Sequence, residues 1–193
     1  MTPKILIFAG STRTGSFNKT LAKLGAEAVK TAGGDATLID LRDFPMPLYD
    51  GDLEEKDGLP PNAEKLREIF IAHQGLLLSC PEYNSSISGV LKNTIDWVSR
   101  PNPKKPNEKP LICFSGKIVS LLSASPGALG GLRGLVTVRS ILGNIQCLVL
   151  PEQLAVSKAD EAFDGEGRLK DPKQQAVLER IAKTLVKTVE KLA

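Results

Sequence analysis

Short apolar runs alternate with amphipathic helical segments along the chain, and this alternation limits the possible folds more than any other feature. Five runs are short, apolar and bounded by turn residues, which predicts buried parallel strands. These runs are residues 4–10, 36–41, 75–80, 117–125 and 145–156. A helical segment follows each run, and the helical segments are residues 18–34, 58–73, 88–100, 130–144 and 171–192. Five β-α units predict an open parallel sheet with helices on both faces.

Two strand orders are common for such sheets, the Rossmann order and the flavodoxin-like order, and both bind ligands at the carboxyl ends of the strands. Five units within 193 residues favour the flavodoxin-like order 2-1-3-4-5. No linker, repeat or low-complexity segment interrupts the pattern, so we predict one α/β domain over residues 1–193.

Composition narrows the possible functions. The net charge of +3 and the lack of a basic run argue against a nucleic-acid partner. No run of 18 apolar residues predicts a membrane helix, and the start of the chain lacks the features of a signal peptide, so we expect a cytoplasmic protein. A single histidine and three widely spaced cysteines predict neither a metal site nor a disulfide framework.

The first predicted strand leads into the sequence GSTRTGSFN, residues 10–18. Gly10 and Gly15 have the spacing of a phosphate loop, but Ser16 and Phe17 replace the Lys and Ser/Thr that such a loop uses for nucleoside triphosphates and Mg²⁺. A helix N-terminus, several hydroxyls and the guanidinium of Arg13 remain, and they suit one metal-free terminal phosphate. The alternative is a hydroxyl-rich turn that only caps the helix.

Two further loops should lie at the same edge of the sheet. After the third strand, Pro81 ends the ladder, and the residues that follow could border a flat ring, although they could also form a simple turn. After the fourth strand, Ser123 and Ser125 offer hydroxyls. The glycines of this third loop, Gly127, Gly130 and Gly131, permit close approach of backbone to a ligand. Three such loops predict a groove for a phosphate at one end and a ring at the other, a shape that FMN has.

The motifs GSTRTGSFN and PEYNSSISGVLKNTIDWVSR (residues 81–100) resemble those of the NADPH-dependent FMN reductase family. The resemblance covers roughly residues 4–150. It implies a flavodoxin-like fold, bound FMN and a homodimer or homotetramer. Ser11, Arg13, Ser16 and Asn18 would then hold the FMN phosphate, and Phe17 would belong to the cofactor-binding residues of the same loop. The residues implied around the flavin ring are Pro81, Glu82, Tyr83, Asn84, Ser86, Ser125 and Gly127.

The resemblance also implies an activity, in which NADPH or NADH reduces the flavin. Two electrons would then pass to a small-molecule acceptor: a quinone, a metal oxyanion such as chromate, an azo compound or free flavin. Arg133 occupies a position that belongs to a subunit interface in some members, although Ser85 and Val136 replace the aromatic residues found there. No catalytic side chain is expected, because the cofactor carries the chemistry.

Two other functions fit the predicted fold less well. A one-electron carrier resembling flavodoxin is usually strongly acidic, which suits docking to basic partners, whereas this chain carries +3. A phosphatase of related topology needs a cysteine in the first loop, and no cysteine lies there.

Overall fold

A computed structural model describes residues 2–192 of the chain. Five parallel strands form one sheet: β1 (Lys4–Ala9), β2 (Asp35–Ile39), β3 (Gly75–Ser79), β6 (Ile118–Ala124) and β7 (Leu148–Val156). Their spatial order is β2-β1-β3-β6-β7. Counting only these five strands, the order is 2-1-3-4-5, so the predicted flavodoxin-like sheet is confirmed.

The central strands lie wholly in the core, since every residue of β3 and β6 is buried. Leu76 pairs with Leu6 on one side and with Val119 on the other. Strand β2 lies at one edge and is only half-buried. The continuous apolar sequence of the inner strands therefore reflects burial on both faces of the sheet.

Helices cover both faces, as the alternation predicts. The long helices α1 (Phe17–Thr31) and α7 (Pro172–Leu192) pack on one face. Helices α3 (Pro61–Ile71), α4 (Gly89–Val98) and α5 (Leu132–Asn144) pack on the other. Each buries a stripe of apolar side chains, such as Leu21 and Val29 of α1, while its outer side carries charged residues.

Several short elements have no counterpart in the predicted pattern. They are a 3-10 turn (Leu41–Asp43), helix α2 (Gly51–Asp57), the antiparallel pair β4 (Glu82–Tyr83) and β5 (Ser86–Ile87), and helix α6 (Ala159–Ala162). Helix α2 buries none of its residues, so it leaves no apolar periodicity in the sequence. These short elements lie outside the five-stranded sheet and do not change its strand order.

All three cysteines are free and buried. Burial raises the pKa of Cys80 to about 12. Burial also raises the pKa of Cys113 to about 11 and that of Cys147 to about 12. A thiol with such a pKa carries almost no thiolate near neutral pH, so these side chains act as small apolar residues.

The single histidine, His73, follows helix α3, where its ring lies between the Ile69 carbonyl oxygen (2.6 Å) and the Thr37 hydroxyl (2.8 Å). No group of three or more metal-ligating side chains occurs within residues 2–192. Over the same residues, no helix has the length and apolar character needed to cross a membrane.

Candidate active site

The first loop, residues 10–16, connects β1 to α1 and is fixed at its start by two neighbouring elements. The Gly10 amide donates to the Ser79 carbonyl oxygen at 2.9 Å. The Ser88 hydroxyl, which caps α4, donates to the Gly10 carbonyl oxygen at 2.6 Å. A Cβ at position 10 would lie 3.0 Å from the Leu91 Cβ. Glycine at this position therefore lets the loop leave the sheet in close contact with α4.

The loop ends at Ser16, which is the N-cap residue of α1. Its side chain is buried, yet it makes no capping hydrogen bond to the helix. The first turn of α1 contains no acidic residue. The Lys19 and Thr20 amides donate to the Ser16 carbonyl oxygen, while the amides of the first two helix residues precede the helical ladder and have no acceptor within the helix. This end of α1 has the donors that an anion requires.

The Asn18 side chain has a different environment from the one expected for a phosphate ligand. Its Oδ1 accepts from the Ser79 hydroxyl (3.0 Å) and from the Ala124 amide (3.0 Å). Its Nδ2 donates to the Ala124 carbonyl oxygen at 2.8 Å. The carboxamide thus joins α1 to the ends of β3 and β6 below the loop. Only one Nδ2 hydrogen and the backbone amide of Asn18 remain for a ligand.

The guanidinium of Arg13 stacks on an aromatic pair. Its carbon lies 5.5 Å from the centroid of the Phe17 ring. Phe17 in turn stacks on Phe163 with centroids 6.3 Å apart and an interplanar angle of 6°. Phe163 belongs to the segment after β7, where it bridges to Leu169. The stack restricts where the exposed guanidinium can lie while leaving its donors free.

The second loop contains the β4–β5 hairpin, which the sequence pattern did not indicate. Asn84 (φ 52°) and Ser85 (φ 64°) form a two-residue turn with two left-handed residues, as in a type I′ turn. Tyr83 is 54% exposed on this hairpin, so its ring is open to solvent at the rim of the site. The hairpin places Pro81, Tyr83, Asn84 and Ser86 at the carboxyl edge of the sheet, where a ring-binding loop is expected.

The Glu82 side chain holds the hairpin against α5. It accepts from Arg133 Nε at 2.9 Å and from the Gly134 amide at 3.1 Å. Burial alone would raise the pKa of Glu82, but the hydrogen bonds and charge of Arg133 and the Gly134 amide outweigh it and hold that pKa below its usual value. Glu82 can therefore border a ligand only through its backbone. Arg133, expected at a subunit interface, forms its ion pair with Glu82 within this chain.

The third loop, residues 125–131, connects β6 to α5 and lies beside the hairpin. The Ser123 hydroxyl donates to the Cys80 carbonyl oxygen at 2.7 Å and is buried. A Cβ at Gly131 (φ 89°) would lie 2.0 Å from the Ser123 Oγ, and one at Gly130 would lie 2.7 Å from the Val156 backbone. The close approach predicted for these two glycines is thus to the protein's own chain. A Cβ at Gly127 would meet only the Ser125 Oγ, at an ordinary contact distance of 3.7 Å, and its place at the site stays a prediction.

A groove of about 320 Å³ connects the first loop with the hairpin. Its lining includes Ser11, Arg13 and Tyr83 from the predicted set. It also includes Arg42, Ser88 and Val90, which sequence reasoning missed. Arg42 lies in the 3-10 turn after β2, and nothing in its local sequence separates it from an ordinary surface arginine.

Comparison with known proteins gives a consistent result. The NADPH-dependent FMN reductase family matches residues 3–161. An NAD(P)H-dependent FMN reductase of Pseudomonas aeruginosa is 38% identical over 191 residues, covering 98% of this chain and 96% of that protein. A quinone reductase of Escherichia coli is 33% identical over 147 residues, covering 76% of this chain and 73% of that protein.

Solved structures agree on the fold. FerB of Paracoccus denitrificans, a flavoenzyme NAD(P)H:(acceptor) oxidoreductase, aligns with a TM-score of 0.82 at 23% identity and covers 99% of each chain. An archaeal flavodoxin aligns with a TM-score of 0.61 at 8% identity, covering 97% of this chain and 99% of that one. The family match and the two relatives confirm the predicted enzyme class, an oxidoreductase that uses FMN and NAD(P)H. The chain belongs to the NADPH-dependent FMN reductase family.

Proposed function

We propose that this protein binds FMN in the groove between the first loop and the β4–β5 hairpin and reduces small acceptors with electrons from NADPH or NADH. The observation that carries the proposal is the uncapped start of α1. The Ser16 hydroxyl makes no capping bond, and the first amides of α1 have no acceptor within the helix. A phosphate supplies that acceptor, and the family supplies FMN as its source.

The residues at this end suit a single phosphate without metal. Ser11 and Ser16 are buried residues that carry hydroxyls, and Ser11 lines the groove with Arg13, which provides a planar guanidinium. No carboxylate ion-pairs with Arg13 within the part of the chain that the structure describes. Ser16 and the helix amides would donate to the phosphate, while Arg13 would neutralise its charge. Phe17 would act indirectly, because its ring supports the Arg13 guanidinium.

At the other end, the hairpin and the third loop would border the flavin ring. Pro81, Glu82, Asn84 and Ser86 would contribute backbone groups, and Tyr83 would lie along the open side. Ser125 and Gly127 would close the groove from the third loop, where the Gly127 amide donates to the Ser125 hydroxyl at 3.3 Å.

The chemistry that FMN supplies when bound is acceptance of hydride from NADPH or NADH and release of two electrons to an acceptor. The chain's own task is to fix the cofactor and keep one side of the groove open. The exposed rim at Tyr83 suits acceptors of varied shape, and we propose quinones, chromate, azo compounds and free flavin as candidates.

We also propose a homodimer or homotetramer. Leu129, just before α5, and Leu132 and Val136 in its first turns are exposed apolar residues, and α5 itself contacts the hairpin. An apolar surface of this kind favours contact with a second copy. Light scattering during gel filtration measures the assembly directly. Three buried free thiols suit a reducing compartment, which supports a cytoplasmic location.

Titration of the flavin-free protein tests the proposal. We expect FMN to bind more tightly than riboflavin, which lacks the phosphate, and the FMN-loaded protein to oxidise NADPH when a quinone is present. Arg13→Ala should weaken FMN binding about tenfold or more and leave riboflavin binding unchanged. Arg180→Ala, which removes an equal charge at a distant ion pair with Glu152, is the matched control. A protein that ignores FMN would contradict the proposal, and so would one that does not oxidise NADPH.

A further inference from the structure

Arg42 provides a second guanidinium at the rim of the proposed flavin groove. It lies in the 3-10 turn after β2, and its Nε donates to the Thr12 carbonyl oxygen of the first loop at 2.9 Å. This bond uses one of the five guanidinium donors. Both Nη groups remain, with no hydrogen-bond partner in residues 2–192, and Arg42 lines the groove beside Arg13 and Tyr83. Arg42 is therefore connected to the site and still has capacity for a ligand.

The backbone of Arg42 is fixed by Asp40. The Arg42 amide donates to Asp40 Oδ1 at 3.0 Å, which caps the 3-10 turn. The other carboxylate oxygen of Asp40 accepts from Lys19 Nζ at 2.6 Å. Asp40 thus orients Arg42 through the main chain, and the charge of Asp40 is balanced by Lys19. The Arg42 side chain is left with its positive charge uncompensated by a direct ion pair.

Arginines elsewhere in the described chain are paired. Arg67, Arg100, Arg133, Arg168 and Arg180 each form an ion pair with a carboxylate. Arg139 donates to three backbone carbonyl oxygens and to Gln153. Within residues 2–192, only Arg13 and Arg42 lack an ion pair with a carboxylate and make at most one side-chain hydrogen bond, and both lie on the same groove. Two unpaired guanidinium groups at one groove indicate that more than one anionic group binds there.

FMN carries one phosphate, and the end of α1 with Arg13 would neutralise it. A nicotinamide coenzyme carries further phosphates and must enter the same groove from its open side. We propose that Arg42 binds a phosphate of NADPH or NADH and thereby positions the coenzyme over the flavin site. This inference rests on the proposed function, because the coenzyme binds there only if the flavin does. The phosphate is either the 2′-phosphate that NADPH alone carries or the pyrophosphate that both coenzymes share.

The test compares Arg42→Ala and Arg42→Lys with the unaltered protein, all loaded with FMN. Three quantities are measured: the KM for NADPH and for NADH, the calorimetric dissociation constant of NADP⁺, and the dissociation constant of FMN. NADP⁺ cannot reduce the oxidised protein, so its binding is independent of turnover. Arg180→Ala again provides the control of equal charge at a distance.

We expect Arg42→Ala to raise the KM for NADPH and the NADP⁺ dissociation constant about tenfold, a larger change than in kcat or in the FMN dissociation constant. Arg42→Lys should recover part of the loss, since lysine keeps the charge but not the paired donors. A loss for NADPH alone assigns Arg42 to the 2′-phosphate, and an equal loss for NADH assigns it to the pyrophosphate.

Two results would overturn the assignment. Unchanged coenzyme constants in Arg42→Ala would show that the guanidinium binds nothing, even if the protein binds FMN and oxidises NADPH normally. A weakened FMN affinity with unchanged NADP⁺ affinity would show that Arg42 serves the flavin phosphate instead. Failure of the unaltered protein to bind FMN is a separate outcome, which overturns the proposed function itself.

Discussion

The two ends of the groove are held in opposite ways. At the proposed phosphate end, the first loop rests on buried polar groups, and the Asn18 side chain hydrogen-bonds the start of α1 to the ends of both β3 and β6. At the proposed ring end, the β4–β5 hairpin is joined to α5 by the ion pair between Glu82, whose side chain is 8% exposed, and the exposed Arg133. One end is held by buried neutral hydrogen bonds, and the other by an ion pair with one exposed partner.

The difference bears on how each end can respond to ligands. Buried hydrogen bonds are costly to break, because each leaves polar groups without water, whereas an ion pair with an exposed guanidinium can exchange that partner for water. The buried bonds suit a resident cofactor at the proposed phosphate end. We expect a hairpin that is held partly by an exposed arginine to yield locally when acceptors of different size enter and leave.

We expect the largest loss of stability when the buried hydrogen bonds of Asn18 are removed. Asn18→Ala removes three hydrogen bonds and leaves the Ser79 hydroxyl and both backbone groups of Ala124 unsatisfied. We expect the free energy of unfolding to fall by about 3 kcal/mol, measured by urea denaturation. Asn62→Ala, which removes a single exposed bond to the Pro45 carbonyl oxygen, should cost at most about 1 kcal/mol. Equal losses of unfolding free energy in Asn18→Ala and Asn62→Ala would contradict the view that buried hydrogen bonds hold this end of the groove more firmly.

A smaller effect should follow from removing the aromatic support of Arg13. In Phe163→Ala the Phe17 ring loses the partner on which it stacks. We expect FMN affinity to fall about threefold to fivefold, a loss of about 1 kcal/mol or less, with riboflavin affinity unchanged. Phe163→Tyr keeps the ring and should retain FMN affinity. An equal loss for FMN and riboflavin would mean that Phe163 supports the fold and not the guanidinium.

The ion pair between Glu82 and Arg133 should make the stability of the protein depend on pH. The pKa of Glu82 is lower in the folded protein than in the unfolded chain. The charged Glu82 carboxylate therefore stabilises the fold fully above the ordinary glutamate pKa of about 4.3. This stabilisation is lost as the pH falls through the lowered pKa of Glu82 in the folded protein. We expect Glu82→Gln to destabilise the protein by about 1 kcal/mol at pH 7, and this difference should shrink below about pH 4. Urea denaturation at several pH values measures it. In an Arg133→Ala background most of the pH dependence should vanish, and its persistence would rule out Arg133 as the partner.

The smallest effect concerns the turn of the hairpin. Ser85 holds a left-handed conformation (φ 64°) that glycine adopts without strain. Glycine relieves about 1 kcal/mol of backbone strain at this position, but its greater entropy in the unfolded chain offsets part of that gain. We therefore expect Ser85→Gly to raise the free energy of unfolding by about 0.5 kcal/mol. Thermal denaturation measures the shift. The control Ser86→Gly, placed in strand β5, should destabilise the protein instead.

The sheet order and the first loop could be predicted from sequence because both depend on local patterns. Apolar runs mark the buried strands, and hydroxyl-rich residues after β1 mark the start of α1. The role of Asn18 could not be predicted, because its partners Ser79 and Ala124 lie 61 and 106 residues away. Such contacts arise only when the strand ends come together.

The β4–β5 hairpin and the position of Arg42 in the groove could not be predicted from the sequence, for a related reason. The turn at Asn84 and Ser85 lacks the glycine that usually marks two left-handed residues, so its sequence suggests an ordinary loop. Arg42 acquires its place from the contact with the Thr12 carbonyl oxygen, 30 residues earlier in the chain. Both features become visible only after the carboxyl edge of the sheet has been assembled.

The burial of Cys80, Cys113 and Cys147 has a practical consequence for following the hairpin in motion. Their raised pKa values leave little thiolate to react with maleimide dyes or spin labels while the protein stays folded. Ser85 is exposed at the tip of the hairpin, so Ser85→Cys places one reactive thiol there without adding a glycine or a charge. A label on that thiol reports how far the ring end opens as acceptors come and go, against a protein that is otherwise unlabelled.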